Sequence, residues 1–247
     1  MRAFLLWLQG RTLDEETVAA WKAHLTGAGF TPATVNGKLA AVNALFRVMG
    51  RPELKVKYLK LQRRTFRARA KELSHEEYEC LIGAARAQGK ERLALLMEAI
   101  CATGIRVSEV RYLTVEAARK GEAVIFLKGK VRTILLPGKL ARKLRKFAVK
   151  NKIASGEIFL TGSGKPISRK QIWAEMKQLC RSAGVEPSKV FPHNLRHLFA
   201  TAFYKKCRDI VRLADVLGHS SVETTRIYLM TTDEEHRRFL DQLRLVS

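Results

Sequence analysis

The sequence predicts a mainly α-helical protein of two domains with one small antiparallel β-sheet, an α+β arrangement. Three observations lead there. Apolar residues recur at 3.6-residue spacing along most of the chain. One stretch, near 123–136, reads as strand, tight turn and return strand. A dense run of cations ending near residue 71 separates a short N-terminal helical unit from the rest.

The bulk composition bounds what such a chain does. Of 247 residues, 47% are hydrophobic and 28% charged, the balance of a globular protein. Lys and Arg number 46 against 23 acidic residues, a net charge of +23 and an isoelectric point near 10.3. A charge of that size repels itself unless a polyanion neutralises it, and nucleic acid is the commonest such partner. The four cysteines, Cys80, Cys101, Cys180 and Cys207, lie far apart with no CxxC pair. They read as small apolar residues in a reducing compartment, and neither a metal nor another cofactor is expected. No apolar run approaches the roughly 20 residues of a membrane span. The opening MRAFLLWLQG lacks the small-residue cleavage site of a signal peptide. The expectation is a cytoplasmic, nucleoid-associated protein with no membrane partner.

Taken in order, the first element is a helix capped by Asp14 or Thr12, with Val18, Trp21 and Leu25 on one face. Thr31-Pro32 then supplies an N-cap with proline at the first helical position. Val35, Leu39, Val42, Leu45, Phe46 and Met49 follow at helical spacing, and Gly50 ends the run. Residues 51–71 change character, with nine cations opposed only by Glu53 and with Tyr58, Leu59, Leu61 and Phe66 interleaved. This reads as a basic linker lying along a phosphate backbone, with Arg63, Arg64 and Arg67 as candidate DNA-binding residues. We place the helical domain at 1–66, the linker to about residue 72, and the second domain at 73–247.

The second domain opens on the capping box Ser74-His75-Glu76-Glu77. Helical patterning continues through Leu81, Ile82, Ala85, Leu93, Leu95, Leu96 and Ile100. A strand at 123–127, a turn at 128–130 and a return strand at 131–136 follow, closed by Pro137-Gly138. Helices are expected at 139–150, 169–183, 194–206, 210–217, 222–229 and 233–243.

Four segments carry chemistry. In ATGIRVSEV, Arg106 follows a glycine turn at the start of a helical run, where its planar fork suits a phosphate while Ser108 and Glu109 hold the turn. In PHNLRH, His193 and Arg196 stand three apart and share a helix face, an arrangement suited to proton transfer beside a bound anion. His197 lies about 100° further round and reads as a packing or hydrogen-bonding histidine. In LGHSS, Gly218 ends one helix, Ser220 or Ser221 caps the next, and His219 sits on the corner between them. Tyr228, nine residues on, would by itself be a core residue with its hydroxyl satisfied.

Together the blocks ATGIRVSEV, HNLRHLFAT and LGHSSVETTRIY, in this order and with a lysine hairpin between the first two, resemble the tyrosine recombinase (phage integrase) family, which includes Xer-type recombinases. The resemblance extends to the N-terminal unit, which is similar to that family's helical core-binding (SAM-like) DNA-binding domain, though shorter. It implies a tyrosine recombinase catalytic fold over 73–247 and a site-specific recombinase or integrase that needs no metal or ATP. In that chemistry the Tyr228 hydroxyl would attack a phosphodiester, forming a 3′-phosphotyrosyl bond and freeing a 5′-hydroxyl. Arg106 and Arg196 would bind the non-bridging oxygens, His219 would add a hydrogen bond, and His193 would help take the tyrosine proton. A hairpin lysine would protonate the leaving oxygen; Lys128 fits the family pattern better, with Lys130 the alternative. Physical chemistry points the same way: a phenol with a pKa of about 10 needs nearby positive charge and a base to act near neutral pH.

Double-stranded DNA is the implied partner, bound by a homo-tetramer on synapsed sites. The terminal helix, opened by Thr232-x-x-Glu235 and bearing Phe239, Leu240 and Leu243, would either pack on its own domain or dock on a neighbouring protomer. Two other functions use the same residues differently: a type IB topoisomerase, or a non-catalytic DNA-binding protein of this fold.

Overall fold

The computed structural model describes residues 1–60, 72–127, 129–226, 228 and 241–243. Arg63, Arg64, Arg67, Lys128 and most of the expected 233–243 helix lie outside the described residues. The chain separates into two compact units, Met1–Arg64 and Thr65–Ser247. No helix among the described residues is long and apolar enough to cross a membrane.

Among its described residues the first unit holds three α-helices, α1 (Arg2–Leu8), α2 (Glu15–Gly27) and α3 (Pro32–Val48), and a 3₁₀ turn at Pro52–Leu54. The caps follow the sequence rules. Asp14 accepts the Thr17 amide at 2.8 Å and Thr31 accepts the Thr34 amide at 3.3 Å. Helix α1 was not expected, since its seven residues carry no side-chain cap. Tertiary packing forms it: Phe4 is 1% exposed and meets the rings of Trp21 and Phe46 edge-on, with centroids 5.5 and 6.0 Å apart.

Residues 55–60 follow the same unit's surface as an extended segment. Asn43 exchanges two 3.0 Å hydrogen bonds with the backbone of Val56, and Asn36 does the same with Leu59 at 2.8 and 3.0 Å. Seven residues apart, the two amides lie on one face of α3 and imitate a neighbouring strand. Val56 and Leu59 are thereby held against the core while Lys55, Lys57 and Lys60 stay exposed.

In the second unit the Ser74 capping box is complete, with the Glu77 amide 3.1 Å from Ser74 Oγ and the Ser74 amide 2.8 Å from Glu77 Oε2. The patterning from Leu81 to Ile100 is two helices, α4 (His75–Ala87) and α5 (Glu91–Thr103), because Gly89 adopts φ +68° and turns the chain between them. Eight residues of α5 are buried, which makes it the central post of the unit. The helical run expected after Arg106 is instead a 3₁₀ helix, Val107–Tyr112, and a short α6 (Val115–Lys120) follows it unforeseen. The Glu109 side chain folds back to the Arg106 amide, which tightens that turn.

Strands β1 (Glu122–Leu127) and β2 (Lys130–Leu135) pair antiparallel, with Ile125 opposite Arg132 and Phe126 opposite Val131. Ala123, Ile125 and Ile134 face the core, while Phe126, Val131 and Leu135 are exposed. Then come α7 (Gly138–Lys150), α8 (Arg169–Ala183), α9 (Pro192–Cys207), α10 (Ile210–Leu217) and α11 (Val222–Arg226). Of the helix expected over 222–229, residues 222–226 are described as helix, and Tyr228 is in a turn with its amide bonded to the Thr225 carbonyl at 3.0 Å.

Candidate active site

Helix α10 organises the site through its C-terminal end. The last carbonyls of any helix lack partners within it and carry partial negative charge. Here the Val216, Leu217 and Gly218 carbonyls accept from three different arginines. Arg132 Nη1 reaches Val216 O at 3.0 Å, Arg196 Nη2 reaches Leu217 O at 2.7 Å, and Arg106 Nη2 reaches Gly218 O at 3.1 Å. Guanidiniums from a strand, a helix and a turn thus converge on one point, and the helix end offsets part of their repulsion.

Arg196 is 3% exposed and also donates to the Gly104 carbonyl. Burial pulls its pKa down to about 10, the Arg106 charge adds to the fall, and the Tyr228 oxygen opposes it; the group stays charged at neutral pH. Gly104 lets the two segments approach: it has φ +64°, and a Cβ there would overlap the Phe199 ring. Arg106 is more open, its side chain 36% exposed, and Glu109 Oε1 holds Nη1 at 3.0 Å. Burial pushes the Glu109 carboxyl up, but the Arg106 amide and the Arg132 and Arg106 guanidiniums outweigh it and hold it below the usual carboxylate range. Arg106, Ser108, Glu109, Arg132 and Gly218 line a cleft of about 810 Å³.

Gly218 adopts φ +64° and turns the chain out of α10, which presents His219 at the corner as the sequence predicts. The ring is held at both nitrogens. Nε2 lies 3.0 Å from Arg196 Nη2, which has only donors, so Nε2 accepts; Nδ1 lies 2.8 Å from the buried Thr225 hydroxyl and donates. Burial lowers the pKa of His219 to about 4, with the charges of Arg196, Arg106, Arg132 and His193 adding to the effect, so the ring is neutral at physiological pH.

Tyr228 is 5% exposed. Its ring stacks on His197 at 5.0 Å and lies nearly parallel to His219, 6.1 Å away at 12°. His197, for which the sequence suggests a packing or hydrogen-bonding part, is 3% exposed, with its ring on Tyr228 and Nε2 3.5 Å from Glu72. His193 stands exposed in the first turn of α9, beside Arg169 and Trp173 of α8. The structure therefore brings Arg106, Arg196, His219 and Tyr228 together and sets His193 within electrostatic reach of His219. Lys130 begins β2, and its side chain, like Lys128, lies outside what is described. Among the described residues no three His, Cys, Asp or Glu side chains come together as a metal-binding group.

The sequence reading missed Arg132 and Thr225. Arg132 did leave a signal: it falls on the inward phase of β2, two residues before buried Ile134, where a charge is out of place unless it has a task.

Comparison with known proteins agrees with this architecture. The pattern described as the phage integrase family matches residues 71–235. The tyrosine recombinase XerD of Halalkalibacterium halodurans is 27% identical over 248 residues, covering 92% of this chain and 80% of that protein. The tyrosine recombinase XerA of Thermococcus kodakarensis is 29% identical over 256 residues, covering 100% of this chain and 87% of its own. Among solved structures, a XerH site-specific recombinase in a post-cleavage complex with palindromic difH substrate superposes with a TM-score of 0.70 at 23% identity, covering 94% of this chain and 72% of that one. A XerA recombinase crystal structure gives 0.58 at 21% identity, covering 100% and 89%. These two likenesses carry the fold. With well over half of its residues matched by the family pattern, the chain belongs to the phage integrase family of tyrosine recombinases.

Proposed function

We propose that Tyr228 is the nucleophile with which this site-specific recombinase cleaves and rejoins DNA, and that Arg106 and Arg196 hold the attacked phosphate. The chain is an enzyme of DNA strand cleavage and ligation. The observation that carries the assignment of residues is the convergence of Arg106, Arg196 and His219 on the end of α10, with the Tyr228 ring stacked beside them.

The proposed steps combine those positions with the roles that the family resemblance implies for His193 and the hairpin lysine. The phosphate binds at the guanidiniums of Arg106 and Arg196, which meet the negative charge that grows on its non-bridging oxygens. Tyr228 Oη attacks phosphorus, the bond to the 5′-oxygen breaks, and a 3′-phosphotyrosyl link forms. His193 takes the phenolic proton, and a hairpin lysine, Lys128 by pattern with Lys130 as the alternative, protonates the departing oxygen. Reversal by a 5′-hydroxyl reseals the strand. The phosphate-ester bond is conserved throughout, which is why no energy source is required.

His219 has a choice of proton. To hydrogen-bond a phosphate oxygen it must donate from Nε2, and the Thr225 hydroxyl supports that tautomer because it can donate to Nδ1 as readily as accept. Arg196 then turns its donor from the ring to the phosphate.

Double-stranded DNA is the partner, in keeping with the chain's relatives being recombinases and with the charge of +23. Arg63, Arg64 and Arg67 are assigned to the DNA backbone, residues 1–66 to the core-binding domain and 73–247 to the catalytic domain. A tetramer on synapsed sites and a nucleoid location in the cytoplasm complete the proposal.

The test is covalent trapping on a nicked suicide duplex. Wild-type protein is expected to leave a protease-sensitive adduct and Tyr228→Phe none. A wild type that binds the duplex but leaves no adduct, with Tyr228→Phe indistinguishable from it, refutes the catalytic assignment.

A further inference from the structure

We propose that Arg132 is a positioning residue of the cleavage site, a brace that fixes the Arg106 turn against the end of α10 and so sets both the phosphate-binding arginine and His219. The proposal rests on the roles given to Tyr228, Arg106 and Arg196.

The contacts form a closed circuit. One end of the Arg132 guanidinium donates to Glu109 Oε2 and the other to Val216 O at 3.0 Å. Glu109, its side chain 1% exposed, accepts the Arg106 amide on Oε2 and Arg106 Nη1 on Oε1, both at 3.0 Å. Arg106 Nη2 returns to Gly218 O at 3.1 Å, two residues beyond Val216. The Arg132 side chain lies across the His219 corner so closely that a Cβ on Gly218 would sit 2.5 Å from Arg132 Cδ and 2.7 Å from Nη1. A shift of Arg132 therefore moves Glu109, Arg106 and the corner together.

Glu109 carries one charge and meets two guanidiniums, Arg106 at 36% and Arg132 at 16% side-chain exposure, so the cluster holds one cation beyond neutrality and Arg132 bears desolvation and the repulsion of Arg106. Burial accordingly pulls the Arg132 pKa down. What the second guanidinium adds is geometry: a planar fork reaches a carboxylate and a carbonyl at once, which a lysine ammonium on a flexible stem does not reproduce. Its place on β2 adds a further link, because that strand begins at Lys130 and follows directly on the hairpin that bears the candidate acid.

The experiment compares wild type, Arg132→Lys, Arg132→Ala and Tyr228→Phe, each as the whole 247-residue chain, in single-turnover cleavage of the suicide duplex. DNA affinity and thermal midpoint are measured in parallel. Displacement of reacting groups by about 1 Å costs on the order of a hundredfold in rate. Arg132→Lys is therefore expected to cleave about a hundredfold more slowly while keeping its DNA affinity and melting temperature. Arg132→Ala should regain part of its rate when methylguanidinium is added. Cleavage by Arg132→Lys at the wild-type rate overturns the proposal. So does an Arg132→Ala rate that tracks its folded fraction and ignores methylguanidinium. If wild type itself forms no adduct, the underlying assignment of Tyr228 fails; a normal wild-type adduct with undiminished Arg132→Lys cleavage fails the Arg132 brace alone.

Discussion

Replacing His219 by asparagine should flatten the acid limb of the stability curve. The free ring titrates at 6.5, and in the folded protein burial and the surrounding arginines bring it to about 4. As pH falls below 6.5 the unfolded chain takes up a proton that the folded chain refuses until about pH 4. Stability contributed by the neutral ring is thus complete above 6.5 and is lost on the way down to 4. The whole gap corresponds to about 3 kcal/mol. Between pH 8 and pH 5 the loss is about 2 kcal/mol for an unscreened group. Solvent reaches this half-buried ring, which lowers the expected loss to roughly 1 kcal/mol. Glu109 does not confuse the measurement, since its carboxyl titrates below the usual range and stays charged at pH 5. Urea unfolding of the full chain at the two pH values should show the wild type losing more stability than His219→Asn by that amount. Titration of the His219 ring proton by NMR gives the midpoint directly. Parallel losses in the two proteins, or a ring midpoint at 6 or above, would refute the reasoning.

Two other outcomes follow from the structure. Gly104→Ala should destabilise by about 2–4 kcal/mol, from the left-handed backbone and from overlap with the Phe199 ring, whereas Gly121→Ala, at φ +82° with no atom within 4 Å, should lose only about 1 kcal/mol; calorimetry separates them. If about six phosphates are neutralised, raising salt from about 50 to 200 mM should weaken duplex binding about a thousandfold, and a flat salt response in a binding isotherm would contradict the electrostatic reading.

What could be read in the sequence was whatever is fixed by a few neighbouring residues. Asp14, Thr31 and Ser74 announce their helices because a cap needs one side chain and one amide three residues on. Gly218 announces the His219 corner in the same way. Helix α1 depends on Phe4 finding Trp21 and Phe46, contacts invisible to local pattern. The division of α4 from α5 was hidden because the apolar period runs on across the break at Gly89. That Arg106, Arg196, His219 and Tyr228 would lie together was legible because each sits in a dense block with its partners in order. Arg132 was not, because its partners Glu109 and Val216 lie 23 and 84 residues away, and only its inward phase on β2 distinguishes it.

The three arginines fasten to α10 through main-chain oxygens, and every amino acid supplies that oxygen. Positions 216 and 217 can therefore drift among apolar residues over evolutionary time, or be randomised in a directed-evolution library, without removing an anchor. The constraint falls on positions 104 and 218, where the need is for a missing side chain. A library meant to retarget such an enzyme should hold those two glycines constant and spend its diversity elsewhere.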